Sequence, residues 1–122
     1  MTDEMQDWAR PVVFFEIRAK DAKMMRAFYR EMFNWEIEEN DFVARIPEGV
    51  GPPEKGVGGI ILPNAASPGV SIYVQVRDLR TSLERAEQLG GKKTADPFDV
   101  PNGPTIAQIA DPEGNLVGLI QQ

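Results

Sequence analysis

The feature of this sequence that most constrains the fold is an internal repeat, in which one order of elements occurs twice. A single offset of 57 residues relates a strand residue, a helix-capping aspartate and a helix-ending residue in the first half to their counterparts in the second half. The three pairs are Phe14 with Ser71, Asp21 with Asp78, and Asn34 with Gly91. We therefore predict two copies of a unit that consists of a strand, a helix and further strands.

The first half of the chain combines one amphipathic helix with short strands. Apolar residues recur at helical spacing over 22–33, and we expect this face of the helix to pack on a sheet. The residues on that face are Met24, Met25, Phe28, Tyr29 and Met32. Alternating or continuous apolar runs predict strands over 11–18, 35–38, 42–46 and 60–62, with a hairpin turn through Asn40 and Asp41.

Two stretches of the first half lack periodicity. Residues 1–10 are predicted to be a tail in which Trp8 offers a docking side chain. Residues 47–59 are rich in Gly and Pro and form a long irregular loop between strands. Loops of this length in compact domains are often lids, but a merely mobile connection is an equal alternative.

The second half repeats the plan with a strand over 70–76, a helix over 79–89 that Gly90 and Gly91 end, and strands over 92–100, 104–110 and 116–120. The last two strands flank Asp111–Asn115, where Pro112 and Gly114 supply the backbone torsions that a tight turn needs. This stretch predicts a closing hairpin.

Composition excludes several classes of function. The net charge is −6 and no Lys/Arg cluster could neutralise a run of phosphates, which argues against nucleic acids and anionic membranes as partners. No apolar run is long enough to span a membrane and the N-terminus is acidic, so we expect a cytoplasmic protein. The absence of His and Cys removes thiol nucleophiles, imidazole bases and ordinary zinc sites, and leaves only oxygen ligands for any metal.

The repeat, the phrase Ala27–Trp35 (AFYREMFNW) and the turn Asp111–Asn115 (DPEGN) together resemble the vicinal oxygen chelate superfamily, which includes glyoxalase I, bleomycin-resistance proteins and extradiol dioxygenases. The resemblance implies an α+β fold in which two β-α-β-β-β modules form a curled mixed sheet with a cup. It covers one domain over 11–122, with modules over about 11–63 and 69–122. By the same analogy we expect a homodimer.

In metal-dependent members of that superfamily, the ligands lie on the first and last strands of each module, usually His on the first and Glu on the last. The corresponding positions here hold Phe14 and Ser71 on the first strands and Gly118 on the last strand of the second module. The last strand of the first module, within 57–62, contains no carboxylate. We therefore expect neither a bound metal nor another cofactor.

Strand alternation predicts which side chains line the cup. The expected ligand-binding residues are Phe14, Glu16, Ser71, Tyr73, Gln75, Gln108, Gly118 and Ile120. Glu16 is the candidate catalytic residue, because an apolar cup disfavours the charged form of a carboxylate and suits it to act as a general base. Structural pairing of Glu16 with Arg18, Arg45 or Arg77 is the alternative.

Three functions remain open on the sequence. The first is a metal-independent glyoxalase/bleomycin-resistance-like protein that sequesters a small organic ligand. The second is a lyase or isomerase of the glyoxalase type with Glu16 as general base, either with or without an oxygen-ligated divalent ion. The third is a dimeric structural module whose cup is filled by its own side chains, with Phe14 in the place of a metal.

Overall fold

The computed structural model of the chain describes residues 9–39, 43–47 and 56–121. The predicted docking of Trp8, the turn at Asn40 and Asp41, and most of the 47–59 loop lie outside the described residues. The described residues fall into two compact units, which we call the first unit (the described residues within 13–73) and the second unit (9–12 with 74–121).

The order of helices and strands confirms the predicted α+β class with a strand-helix-strands plan in each half. The elements are β1 (Val12–Arg18), α1 (Ala22–Phe33), β2 (Glu38–Glu39), β3 (Ala44–Ile46), β4 (Gly59–Leu62), β5 (Gly69–Val76), α2 (Leu79–Gln88), β6 (Lys92–Asp99), β7 (Thr105–Ala110) and β8 (Leu116–Gln121). Neither helix in the described part of the chain could cross a membrane, since both are too short and too polar.

The helix starts lie where the sequence predicts them. The side chain of Asp21 accepts a hydrogen bond from Met24 N over 3.0 Å, and that of Asp78 accepts one from Thr81 N over 3.0 Å. Each aspartate satisfies a backbone N–H that the first helical turn leaves without a partner.

The two helices end differently. Asn34 has the predicted left-handed conformation (φ 59°) after α1. After α2 the left-handed residue is Gly90 (φ 97°), the first of the two glycines predicted to end this helix, and it lies one position before Gly91, which the 57-residue offset pairs with Asn34. The physical reason is the length of α2, which has 10 residues against 12 in α1 and reaches its C-terminal cap at Leu89.

The sheet of the first unit is mixed. Its strands follow the order β2-β3-β4-β1-β5, where β5 contributes its first residues. Strand β1 pairs parallel with β4, with Phe15 opposite Gly59 and Ile17 opposite Ile61, whereas β3 runs antiparallel to β4. The core of this unit lies between the sheet and α1 and consists of Ile17, Ala19, Ile37, Ala44, Ile46 and Ile61.

Helix α1 covers this core with only part of its apolar face. Met25 and Tyr29 pack against the core, as predicted. The expectation that Met24, Phe28 and Met32 are also covered is wrong, since they are 62%, 55% and 63% exposed. These three side chains follow one another at four-residue spacing along a line next to Met25 and Tyr29, beyond the part of the helix that the sheet covers.

The second unit repeats the arrangement with the strand order β5-β8-β7-β6. In both units the first strand of the repeat is the neighbour of its last strand. The core here is built from Val76, Leu79, Leu83, Ala107 and Leu119. The closing hairpin is confirmed, since Asp111 Oδ1 accepts hydrogen bonds from Glu113 N and Asn115 N (3.0 and 2.9 Å) and β7 pairs antiparallel with β8.

Candidate functional site

Alternation along β1 separates the side chains of the core from those of the opposite face. Ile17 is a core residue and Phe15 packs against that core. Glu16 and Arg18 therefore point to the face of the sheet away from α1, as does Phe14. Glu16 is buried, with 6% of its surface exposed.

A polar network surrounds Glu16 on this face. Arg18 Nη1 donates to Glu16 Oε2 over 3.1 Å and to Ser71 Oγ over 2.7 Å. Tyr73 OH donates to Glu16 Oε1 over 3.0 Å. Both carboxylate oxygens of Glu16 therefore have a donor, one charged and one neutral. We call Glu16, Arg18, Ser71 and Tyr73 the β1–β5 network, since the first two lie on β1 and the others on β5.

The phenol of Tyr73 is buried next to the carboxylate of Glu16. Burial, followed by the charge of Glu16 and the hydrogen bond to it, raises the pKa of Tyr73 well above its ordinary value, although Arg18 acts in the opposite direction. The phenol therefore stays protonated and remains a hydrogen-bond donor to Glu16. The ring of Phe14 packs edge-on against that of Tyr73, with centroids 5.6 Å apart.

Sequence reasoning missed two contributors to this arrangement. The sequence analysis named Arg18 only as one of three possible partners of Glu16, and it did not consider Gly69 as part of the site. A side chain at Gly69 would collide with the guanidinium of Arg18, so the missing Cβ leaves the space that the arginine occupies. The two-residue spacing of Glu16 and Arg18 was the available signal, because it places both on one face of a strand.

The structure brings four of the predicted ligand-binding residues together in the first unit: Phe14, Glu16, Ser71 and Tyr73. The other four belong to the second unit. Gln108 lies opposite Gly118 in the β7–β8 ladder, and Ile120 follows two residues later on the same face. Gln108 Oε1 accepts a hydrogen bond from Thr94 Oγ1 over 2.9 Å, and the backbone N–H of Gln75 donates to Pro11 O over 3.0 Å.

The residues present do not fit a metal centre of the kind that the resemblance implies. Phe14 offers no donor atom, Ser71 already accepts a hydrogen bond from Arg18, and Gly118 has no side chain. Strand β4 contributes only Gly, Ile and Leu. Within residues 9–39, 43–47 and 56–121, no group of three potential metal-ligating side chains comes together.

An open depression of about 220 Å³ lies elsewhere, on the second unit. Its lining consists of Arg80, Leu83, Glu84, Glu87, Lys93, Asp96 and Pro97. Lys93 and Asp96 pair with each other there at the surface. The depression contains none of the predicted site residues and no buried polar group, so we place the candidate site at the β1–β5 network instead.

Comparison with known proteins gives a family and a fold. A family model described as a glyoxalase-like domain matches residues 13–120. No curated protein sequence is similar enough to this chain to count as a relative.

Solved structures are similar over nearly the whole chain. A variant of methylmalonyl-CoA epimerase from Streptomyces coelicolor, in complex with 2-nitronate-propionyl-CoA, is 16% identical with a TM-score of 0.66, covering 91% of this chain and 93% of that chain. A glyoxalase/bleomycin resistance protein/dioxygenase superfamily member from Vibrio splendidus is 15% identical with a TM-score of 0.64, covering 93% and 100%. Methylmalonyl-CoA epimerase from Mycobacterium tuberculosis is 15% identical with a TM-score of 0.60, covering 90% and 86%. These likenesses confirm the predicted glyoxalase/bleomycin-resistance-like fold.

Proposed function

Because the chain belongs to the glyoxalase-like domain family, we propose that it is a metal-independent protein that binds a small organic ligand at the β1–β5 network. The observation that carries this proposal is the burial of Glu16 between Arg18 and Tyr73 on the face of β1 that points away from the core. Small-molecule sites usually combine apolar walls with a few such polar groups at fixed positions.

The energetics of the network support a role beyond stability. Placing an ion pair in a protein interior costs desolvation energy that its attraction often does not recover, and apolar residues in its place are frequently at least as stabilising. The Glu16 and Arg18 side chains are only 7% and 21% exposed. A fixed carboxylate, guanidinium and phenol would orient the polar groups of a ligand.

Metal independence is supported by the donor set. The positions that would supply His and Glu ligands hold Phe14, Ser71 and Gly118, and two of these have no donor atom in their side chains. No step of the proposed function therefore passes through a metal ion. Sequestration of the ligand, as in the bleomycin-resistance proteins that the sequence resembles, needs only the network and its apolar surroundings.

The epimerase structures suggest where a search for the ligand begins. One of them contains 2-nitronate-propionyl-CoA and another contains methylmalonyl-CoA. Acyl-CoA thioesters therefore belong in the first panel of ligands. The net charge of −6 favours neutral or cationic molecules, so uncharged and cationic organic compounds form the second panel.

A second candidate function is a lyase or isomerase in which Glu16 acts as general base. The observation that favours it is a buried carboxylate with a phenol donor at 3.0 Å, a pair that can take a proton from a substrate and return it. A carbon next to a carbonyl would lose its proton to Glu16 and regain one at the same or a neighbouring atom, so no oxidant or reductant is required.

Thermal unfolding of the chelator-stripped protein tests the leading proposal. We expect no shift of the Tm with Mg²⁺, Mn²⁺, Ni²⁺, Zn²⁺ or Ca²⁺, and a shift of several degrees with a ligand at about a hundredfold over its Kd, which adds roughly 2.7 kcal/mol. Loss of that shift in Ser71→Ala would locate the ligand at the network. A shift with one ion alone would contradict metal independence.

Deuterium exchange separates the two candidates. Each compound that shifts the Tm is incubated with the protein in D₂O, and incorporation is followed by mass spectrometry. Binding without turnover gives no incorporation above the protein-free rate. Incorporation that Glu16→Gln abolishes, while the matched exposed control Glu113→Gln retains it, would favour the lyase or isomerase instead.

A further inference from the structure

The guanidinium of Arg18 makes its hydrogen bonds through only one of its nitrogens. Nη1 donates to Glu16 Oε2 over 3.1 Å and to Ser71 Oγ over 2.7 Å. Within the described part of the chain, neither Nη2 nor Nε of this arginine donates to another residue. Because the N–H groups of a guanidinium form a rigid fork, those on Nη2 and Nε remain available to a bound molecule.

The unused edge of this guanidinium lies on the face of the sheet that carries the β1–β5 network. Nη2 is the atom that comes nearest to the place where a side chain at Gly69 would begin, and Gly69 shares one face of β5 with Ser71. Nη1 contacts two buried residues, Glu16 and Ser71, whereas the Arg18 side chain as a whole is 21% exposed. The exposed part of Arg18 therefore belongs to atoms other than Nη1.

On the basis of the proposed function of the β1–β5 network, we propose that Nη2 and Nε of Arg18 bind an uncharged carbonyl oxygen of the ligand, such as that of an amide, ester, thioester or ketone. Hydrogen bonds from a guanidinium to oxygen are charge-assisted and stronger than those between neutral groups. The two bonds of Nη1 fix the guanidinium before a ligand arrives, so little side-chain freedom is lost on binding. Arg18 thereby selects the ligand.

The charges of the network favour a carbonyl over a carboxylate. Guanidinium groups commonly pair with carboxylates, but Glu16 already supplies one to Arg18. The raised pKa of Tyr73 keeps its phenol neutral, so the network as a whole has no net charge. A ligand carboxylate on Nη2 would add a second negative charge near Glu16, in a partly buried place where like charges repel each other more strongly than in water.

An NMR titration with three compounds that carry different groups on a benzene ring tests the proposal. At about pH 7 benzamide is uncharged, benzoate is an anion and benzylamine is a cation. The Nε–Hε signals of the ¹⁵N-labelled protein report on individual arginines, and the signal of Arg18 is identified by its loss in Arg18→Lys. We expect benzamide to shift this signal saturably, with a Kd at least about tenfold below those of benzoate and benzylamine.

Arg18→Lys separates ligand binding from structural pairing. The ammonium group keeps a positive charge beside Glu16 but lacks the forked edge of a guanidinium. We therefore expect the variant to fold and its affinity for benzamide to fall at least about tenfold. The matched control is Arg45→Lys, because Arg45 is exposed and pairs with Glu38, and it should bind benzamide as the wild type does. Unchanged affinity in folded Arg18→Lys would overturn the proposal.

The outcomes distinguish this inference from the proposed function on which it rests. Tighter binding of benzoate or benzylamine than of benzamide would overturn the inference and leave the proposed function standing. The same holds for binding that shifts the backbone signals of Ser71 and Tyr73 but not the Nε signal of Arg18. If none of the three compounds shifts a signal of the network, the inference is overturned. The proposed function falls with it only if the ligand panels also leave the Tm unchanged.

Discussion

Arg18 and Glu16 lie two residues apart on the same face of β1 and form an ion pair of 3.1 Å between Nη1 and Oε2, with the carboxylate side chain only 7% exposed. The same Nη1 also donates to Ser71 Oγ. The guanidinium therefore holds β1 and β5 together while it neutralises a buried charge.

Arg18→Met is expected to destabilise the protein by about 3 kcal/mol, because it leaves the carboxylate of Glu16 buried without its charged partner. Urea unfolding followed by circular dichroism measures the change. The matched comparison is Glu16→Gln, which removes the carboxylate charge but keeps an acceptor for Tyr73 and should cost about 1 kcal/mol. The double variant Arg18→Met/Glu16→Gln should lose much less stability than the sum of the two single losses, since no unpaired buried carboxylate remains in it. Full additivity would show that the ion pair contributes nothing.

Tyr73→Phe is expected to cost about 1–3 kcal/mol, because it leaves Glu16 Oε1 without its donor in a buried environment. The ring and its packing against Phe14 remain. Tyr29→Phe is the control, since it makes the same chemical change at a residue whose ring stacks on Trp35 with centroids 5.1 Å apart. Urea unfolding measures the free energy of unfolding of both variants. Equal losses would show that the hydrogen bond from Tyr73 to Glu16 does not stabilise the protein.

Stability is expected to fall as the pH rises above about 10, because the pKa of Tyr73 is raised in the folded state, first by burial and then by Glu16. Below the ordinary value of 10.0 both states hold the phenol proton, and above it the unfolded state releases the proton while the folded state retains it. The advantage of the wild type over Tyr73→Phe should therefore shrink by up to about 1.4 kcal/mol per pH unit. Urea midpoints of both proteins between pH 8 and 11 measure this, and a constant difference would contradict the raised pKa.

Gly59→Ala is expected to destabilise the protein by about 3 kcal/mol or to prevent folding. Its Cβ would lie 2.6 Å from Phe15 O, a backbone atom of the neighbouring strand β1 that cannot move aside cheaply. Gly56→Ala is the control, because nothing lies within 4 Å of the position of its Cβ, and its effect should stay within about 0.5 kcal/mol. Similar effects of the two changes on the thermal unfolding midpoint would argue against the close packing of β1 on β4.

The local signals of the sequence predicted most of the secondary structure. Asp21 and Asp78 cap helices and Asn34 ends one, because a cap is decided by residues that are neighbours in sequence. Periodicity correctly placed Met25 and Tyr29 on the core. It could not tell that Phe28 is exposed, since an apolar face shows which side of a helix is hydrophobic but not how much of it a sheet covers.

The partners within the network depend on tertiary structure and could not be predicted in the same way. Sequence reasoning selected Glu16 but left Arg18, Arg45 and Arg77 as alternative partners. Because β2 pairs with β3, Arg45 Nη1 lies 3.1 Å from Glu38 Oε1 and forms an ion pair there. The arginine that pairs with Glu16 is Arg18. The space that Gly69 leaves for Arg18 exists only because β5 is the neighbour of β1. Which residues bind a ligand stays a prediction that the experiments above address.

The hydrogen bond between Tyr73 and Glu16 joins two positions that the repeat makes equivalent, since they lie 57 residues apart. An exact duplication of either half would place the same residue on both sides of this contact. Two carboxylates would repel each other there, and two phenols would leave Arg18 without its counter-ion. The difference between the two halves is therefore what makes this contact possible, since each half holds one end of a bond that a copy of itself could not complete.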